Sequence, residues 1–158
     1  MPYRIGHGQD VHRIQNGGSL KLGGVVVSNE LSAVAHSDGD VVLHALVDAL
    51  FGALGLGDIG DRFSNSDPQW KDCESRKFVE AAMGDVRWRK MRVINIDISI
   101  NAEKPMLKTL KPKIAESVRL LTDAECVNVK AGTNEGLDAV GRGEAIAATV
   151  VVLLAPEG

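Results

Sequence analysis

Aspartate and histidine recur at metal-ligand spacing near the start of this chain. Asp10-Val11-His12 is followed by His36-Ser37-Asp38-Gly39-Asp40 and then His44, and all four histidines fall within the first 44 residues. Imidazole and carboxylate are the side chains that hold a divalent metal at neutral pH. Residues two apart on an extended segment project to the same side, so a strand would pair Asp10 with His12. His44 lies in a strongly apolar run that reads as a helix. Two ligands from a strand and one from a helix leave a coordination position open, as a catalytic metal requires. Without a metal, the same residues are ordinary polar groups at the ends of elements. Asp40 and Asp48, one turn to either side of His44, favour the metal. A ligating imidazole donates the N–H of its other ring nitrogen to an orienting acceptor, and i, i+4 spacing places either aspartate for that role.

Further along, Thr133-Asn134-Glu135 and Gly141-Arg142-Gly143-Glu144 collect phosphate-binding groups. They offer a hydroxyl, backbone N–H groups and a guanidinium, and Glu135 can hold a hydrated magnesium ion against phosphate oxygens. Alone, these segments read as polar turns. There is no G-x-x-x-x-G-K-[ST] loop, which excludes P-loop chemistry, and no serine or cysteine in a nucleophile's setting. Gly55-Leu56-Gly57-Asp58-Ile59-Gly60 matches a dinucleotide fingerprint by letter only. That site needs a strand before the motif and a helix opening within it. Here a helix precedes and a loop follows, leaving Asp58 free to accept hydrogen bonds from a ligand.

The elements that must position these groups follow from periodicity. Residues 2–8 predict a strand leading to the ligand pair, and residues 20–27 a strand bent at Gly23-Gly24. Ser37 with Asp40 resembles a capping box opening a helix that runs to about Gly55. Residues 56–72 read as loop and 73–84 as a second helix. Ile94, Ile96, Ile98 and Ile100 alternate with Asn95, Asp97, Ser99 and Asn101, a half-buried strand. A third helix is expected over about 108–122, with Ile114, Val118 and Leu121 inward. Val127 and Val129 mark another strand, and a buried strand follows Glu144. The class is α+β, a mixed, mostly antiparallel sheet with helices covering one face.

Bulk properties limit the partners. The chain of 158 residues is 44% apolar and 25% charged, which suits one globular domain over residues 1–158. A net charge of −3 argues against nucleic acid. The basic run Arg87-Trp88-Arg89-Lys90, with Arg92, reads as a solvated turn. Cys73 and Cys126 suit neither a disulfide framework nor a thiolate metal site, and point to a reducing, cytoplasmic setting. No apolar run reaches transmembrane length and no targeting segment precedes the first strand, so no membrane role is expected.

Taken jointly, these segments resemble the 2-C-methyl-D-erythritol 2,4-cyclodiphosphate synthases of the non-mevalonate isoprenoid pathway. The resemblance covers essentially the whole chain. It rests on Arg4 to His12, on Ala35 to Asp40 with His44-Ala45 and Asp48-Ala49-Leu50, and on Leu56 to Gly60. It continues in Asp67-Pro68, Val127 to Ala131, Thr133 to Glu135 and Gly141 to Glu144. It implies cyclisation of 4-diphosphocytidyl-2-C-methyl-D-erythritol 2-phosphate with release of CMP. It also implies a homotrimer with sites between subunits. By likeness, Asp10, His12 and His44 hold a transition metal, zinc or manganese, that grips the terminal phosphate. Glu135 would hold magnesium or manganese at the diphosphate. His36 and Thr133 match the transition-state-stabilising pair, and His36 and Ser37 match substrate contacts. Asp58, Ile59 and Gly60, then Phe63 and Asp67, match further contacts with the substrate. Ala102, Pro105, Met106, Leu107 and Lys108 correspond to the cytidine diphosphate segment, Asn134 to a further substrate contact and Arg142 to a phosphate contact. Three positions depart from the family pattern: Met106 stands where lysine is usual, Ala139 where an aromatic is usual, and Asn65 where an acid is common.

Overall fold

The computed structural model describes residues 2–158. Its main sheet has five strands in the order β4-β1-β7-β5-β6. These are β1 (Arg4–Asn16), β4 (Leu31–Ala33), β5 (Met91–Asn101), β6 (Cys126–Gly132) and β7 (Ala145–Pro156). All neighbours are antiparallel except β5 and β6, which run parallel. A parallel pair needs a crossover, here made by α4 (Lys111–Thr122). The hairpin β2 (Leu20–Leu22) and β3 (Val25–Ser28) stands apart as a second sheet. The remaining helices are α1 (Val41–Leu54), α2 (Ile59–Arg62), α3 (Ser75–Trp88) and α5 (Asp138–Gly141), with a 3₁₀ turn at Pro68–Trp70.

Alternation sets the two faces of the sheet. Ile96, Ile98 and Ile100 of β5 are buried, as are Ile146, Ala148, Val150, Val152 and Leu154 of β7. They share one core with Leu46, Leu50 and Phe51 of α1, Phe78 and Val79 of α3, and Ile114 and Val118 of α4. On the other face Ile5, Val11 and Val151 remain exposed. The expected α+β class and one-sided helical cover are therefore observed.

The tightest contact lies between α1 and β1. A Cβ on Gly6 would sit 1.8 Å from the carbonyl oxygen of Ala49, and one on Gly8 would sit 1.9 Å from that of Ala45. The helix meets the strand with Ala45, Ala49 and Ala53, one small residue per turn, all buried. Backbone thus rests on backbone, and the next inward positions of β1, Asp10 and His12, lie beside His44 of the helix.

Several boundaries differ from the periodic expectation. β1 is not a short strand ending before the ligands; it carries them, because Gly6, Gly8, Asp10 and His12 keep alternating toward α1. Residues 20–28 form a hairpin rather than a bent strand, because Gly23 and Gly24 both adopt positive φ (61° and 82°) and make its turn. The N-cap of α1 is Asp40, not Ser37. Fully buried, Asp40 accepts from Leu43 N at 3.0 Å, Gly23 N at 2.8 Å and Gly24 N at 2.7 Å. It therefore ties the hairpin turn to the helix start. α3 continues past residue 84 to Trp88, so the basic run begins inside its last turn. The isoleucine alternation breaks at Ile94, where the β5–β7 register shifts between Val93 and Asn95. α4 begins at Lys111 rather than near residue 108. The short helices α2 and α5 and the three-residue strand β4 give too few periods to be read from sequence.

Gly8→Ala should lower stability by at least about 1–3 kcal/mol, since the added carbon meets backbone that has no rotamer to yield. Thermal denaturation against the parent measures this.

Candidate metal centre and substrate cleft

The alternation of β1 and the seating of α1 bring three ligand atoms together. His12 Nε2 lies 2.9 Å from Asp10 Oδ2, His44 Nδ1 lies 3.2 Å from the same oxygen, and the two nitrogens are 3.1 Å apart. Tetrahedral sites with bonds near 2.0–2.1 Å have ligand–ligand edges of roughly 3.3 Å. The triangle therefore has the size and donor set of a divalent-metal site, and it is the one such group of three among the described residues. The side chains are 13–27% exposed, so a fourth ligand can reach the centre from one side.

Electrostatics favour the anionic ligand. Burial pushes the Asp10 carboxyl upward, but hydrogen bonds and charge from His12 and His44 outweigh it and hold the group well below the usual range. In the metal-free protein this carboxylate contributes stability that is present above about pH 4. That contribution is lost as the pH falls below the ordinary aspartate value.

A cleft of about 330 Å³ opens over the triad. His36, Ser37 and Asp48 line its polar part, and Ile59, Gly60, Phe63, Trp70 and Phe78 its apolar part. Phe63 packs on Phe78 at 4.7 Å between ring centroids and edge-on to Trp70 at 5.0 Å. Asp58 caps α2 at the rim, its carboxylate accepting from Asp61 N. Asp67 caps the 3₁₀ turn that presents Trp70. Asn65 lines the same cleft.

The orienting acceptor of His44 is neither Asp40 nor Asp48. Asp40 is spent on backbone N–H groups of the hairpin and helix. Asp48 accepts from Ile59 N at 2.7 Å and so tethers α2 to α1. Burial raises the Asp48 carboxyl above its ordinary value, against that hydrogen bond. The nitrogen of His44 that points away from the triad, Nε2, instead meets Ser75 Oγ at 2.8 Å and Ser37 Oγ at 3.0 Å. Ser75 could not be found from sequence, because it opens a helix 31 residues away and looks like any polar first-turn residue.

The remaining expected site residues lie elsewhere on the chain. Ala102, Pro105, Met106, Leu107 and Lys108 line a second cleft together with Thr133. Asn134 is fixed beside it, accepting from Asn101 Nδ2 at 2.8 Å and donating its N–H to Glu103 at 3.1 Å. Glu135 follows at φ 54°, its N–H directed to Thr133 Oγ1 at 3.3 Å. Arg142 forms a forked pair with Glu144 and lines a third cleft with Glu103, Lys104 and Pro105. The register aligns Val11, Ala147, Asn101 and Gly132 in one row across the sheet. His12 and Thr133 thus share one end of the sheet but stand three strand spacings apart, roughly 14 Å.

An α+β fold with three clustered ligand residues on a mixed aromatic and polar cleft has the donor set and the opening that a metal-assisted enzyme needs. Comparison with known proteins makes this specific. The YgbB family model matches residues 3–155, and the chain belongs to that family. A curated relative from Pseudomonas putida (strain W619), 2-C-methyl-D-erythritol 2,4-cyclodiphosphate synthase, is 46% identical over 157 residues. That match covers 97% of this chain and 99% of the relative. Among solved structures, a CDP complex of Plasmodium falciparum IspF superposes with a TM-score of 0.87 at 30% identity, covering 99% of this chain and 97% of that one. The bifunctional IspDF from Campylobacter jejuni gives 0.92 at 37% identity; there 97% of this chain matches 42% of the longer one.

His44→Ala should abolish metal binding while leaving the secondary structure intact. Elemental analysis beside circular dichroism tests this, and undiminished metal in the variant would exclude the triad.

Proposed function

We propose that this protein is a 2-C-methyl-D-erythritol 2,4-cyclodiphosphate synthase, a CMP-forming phosphorus–oxygen lyase of isoprenoid precursor biosynthesis. The observation that carries the reading is the metal triad at the mouth of the cleft, in a chain whose full-length relatives bear that name. The substrate is 4-diphosphocytidyl-2-C-methyl-D-erythritol 2-phosphate. Its 2-phosphate oxygen attacks the β-phosphorus, the bond to the α-phosphate oxygen breaks, and CMP leaves as the ring closes. A phosphate nucleophile is already ionised at neutral pH, so no general base is required. The protein supplies in-line positioning and neutralisation of charge at phosphorus.

Asp10, His12 and His44 would hold a divalent transition metal, zinc or manganese, which when bound supplies Lewis-acid neutralisation of a phosphate oxygen. Glu135 would hold magnesium or manganese at the diphosphate. His36 and Ser37 donate to phosphate oxygens above the triad, and Thr133 stabilises the developing charge with His36. Asp58, Ile59, Gly60, Phe63 and Asp67 form the wall for the methylerythritol part. Ala102, Pro105, Met106, Leu107, Lys108 and Asn134 take the cytidine diphosphate, and Arg142 a phosphate.

Two observations support a homotrimer with shared sites. The metal cleft and the cleft lined by Ala102 to Lys108 with Thr133 are separate on one chain, which leaves a neighbouring subunit to bring the two together. The sheet face bearing Ile5, Val11 and Val151 has no cover within the chain. Sedimentation equilibrium at micromolar concentration should therefore return three times the 16.8 kDa chain mass.

Phosphorus NMR of the protein with the diphosphocytidyl substrate and added metal should show a cyclic diphosphate and CMP. An open phosphate product would instead mean hydrolysis through the same triad. Glu135→Gln should keep the triad metal and the melting temperature, while turnover falls on the order of 100-fold or more. Full activity of that variant at limiting magnesium would return Glu135 to a surface acid.

A further inference from the structure

We propose that Ser75 and Asp38 form a positioning relay that fixes the imidazole of His44. The relay holds a proton on Nε2 and leaves Nδ1 as the bare ligand atom. It rests on the metal reading of the Asp10–His12–His44 site and assigns a role to two residues that supply no ligand.

The direction of the hydrogen bonds carries the argument. Nδ1 of His44 faces Asp10 Oδ2 at 3.2 Å and His12 Nε2 at 3.1 Å, inside the triad. Nε2, on the opposite side of the ring, faces Ser75 Oγ at 2.8 Å. A neutral imidazole carries its proton on one nitrogen only, and the partner of the other nitrogen decides which. The Ser75 hydroxyl can accept that proton's hydrogen bond if its own hydrogen is committed elsewhere, and it is. Ser75 Oγ donates to Asp38 Oδ1. Asp38 also accepts Ser75 N–H at 3.1 Å and Asp40 N–H at 3.2 Å, so its carboxylate is bound from three donors. The chain of donors then runs in one sense, from His44 Nε2–H to Ser75 Oγ–H to the Asp38 carboxylate.

Burial separates Ser75 from the other hydroxyl near the ring. Ser75 has no exposed surface. Ser37 Oγ lies 3.0 Å from the same nitrogen, but it lines the cleft and takes only the N–H of Gly39 at 3.3 Å. Nothing fixes its hydroxyl hydrogen, so Ser37 can follow a ligand while Ser75 holds the ring. The same helix α3 places Phe78 against His44, with ring centroids 6.0 Å apart. Asp38 in turn accepts the first N–H of α3, where Glu74 gives no side-chain cap, and a carboxylate suits that helix end. One aspartate thus anchors α3 and orients the ligand that α3 touches.

The test has two parts. Nitrogen-15 NMR of the metal-free protein at mildly alkaline pH should show His44 as the Nε2–H tautomer. A predominant Nδ1–H form overturns the relay, whatever any variant does. Competition with a chromophoric chelator, using zinc alone, should show Ser75→Ala binding about 10- to 100-fold more weakly than the parent. Ser75→Thr, which keeps the hydroxyl, should recover most of that loss, and Ser37→Ala should bind zinc as the parent does. Unchanged affinity in Ser75→Ala, with zinc lost in His44→Ala, would refute the relay alone. Zinc retained in His44→Ala would refute the site itself.

Discussion

Everything in this structure depends on how closely α1 lies on β1. Ordinary helix-on-sheet packing is spaced by side chains, and a metal ligand on each element would then stand too far apart to share an ion. Gly6 and Gly8 remove that spacing, because neither has an atom to place between strand and helix carbonyls. Ala45, Ala49 and Ala53 complete the arrangement from the helix side. The helix drops onto the strand until backbone meets backbone, and the imidazole of His44 comes level with the Asp10 carboxylate and the His12 imidazole. Leucine in place of one glycine would still satisfy the hydrophobic pattern, yet it would dismantle the triad.

Three aspartates then hold the surroundings to this helix–strand unit. Asp38, Asp40 and Asp48 each accept backbone N–H groups from another segment: α3, the β2–β3 hairpin and α2 respectively. Burial raises the carboxyls of Asp40 and Asp48, and the N–H groups they receive partly offset that cost. Backbone donors serve this purpose better than lysine or arginine would. They bind the carboxylates without adding a mobile cation beside the cleft over the triad.

The ligand triad could be read from sequence because its chemistry is local: two residues at strand spacing and one histidine among apolar helical neighbours. The alternation of β5 and the apolar run of α1 were legible for the same reason. What surrounds His44 was not. The i, i+4 rule pointed to Asp40 and Asp48, but it describes neighbours on a helix surface, and this helix is buried on most sides. The partners of its polar groups come from other elements, which no periodicity records. Ser75 is the clearest case: its function is set by what folds against it. The separation of Thr133 from the triad likewise depends on strand order, with β7 and β5 lying between β1 and β6.

The ligand set is split across the chain, since Asp10 and His44 are 34 residues apart in sequence. An ion held there would close a long loop, and the ring it would close exists only once α1 has docked on β1. During synthesis the first two ligands emerge well before the third, and the serine behind that third ligand emerges later still. An ion held by this triad would meet its full ligand set only in the folded chain, where the site's fixed dimensions would decide which ion stays.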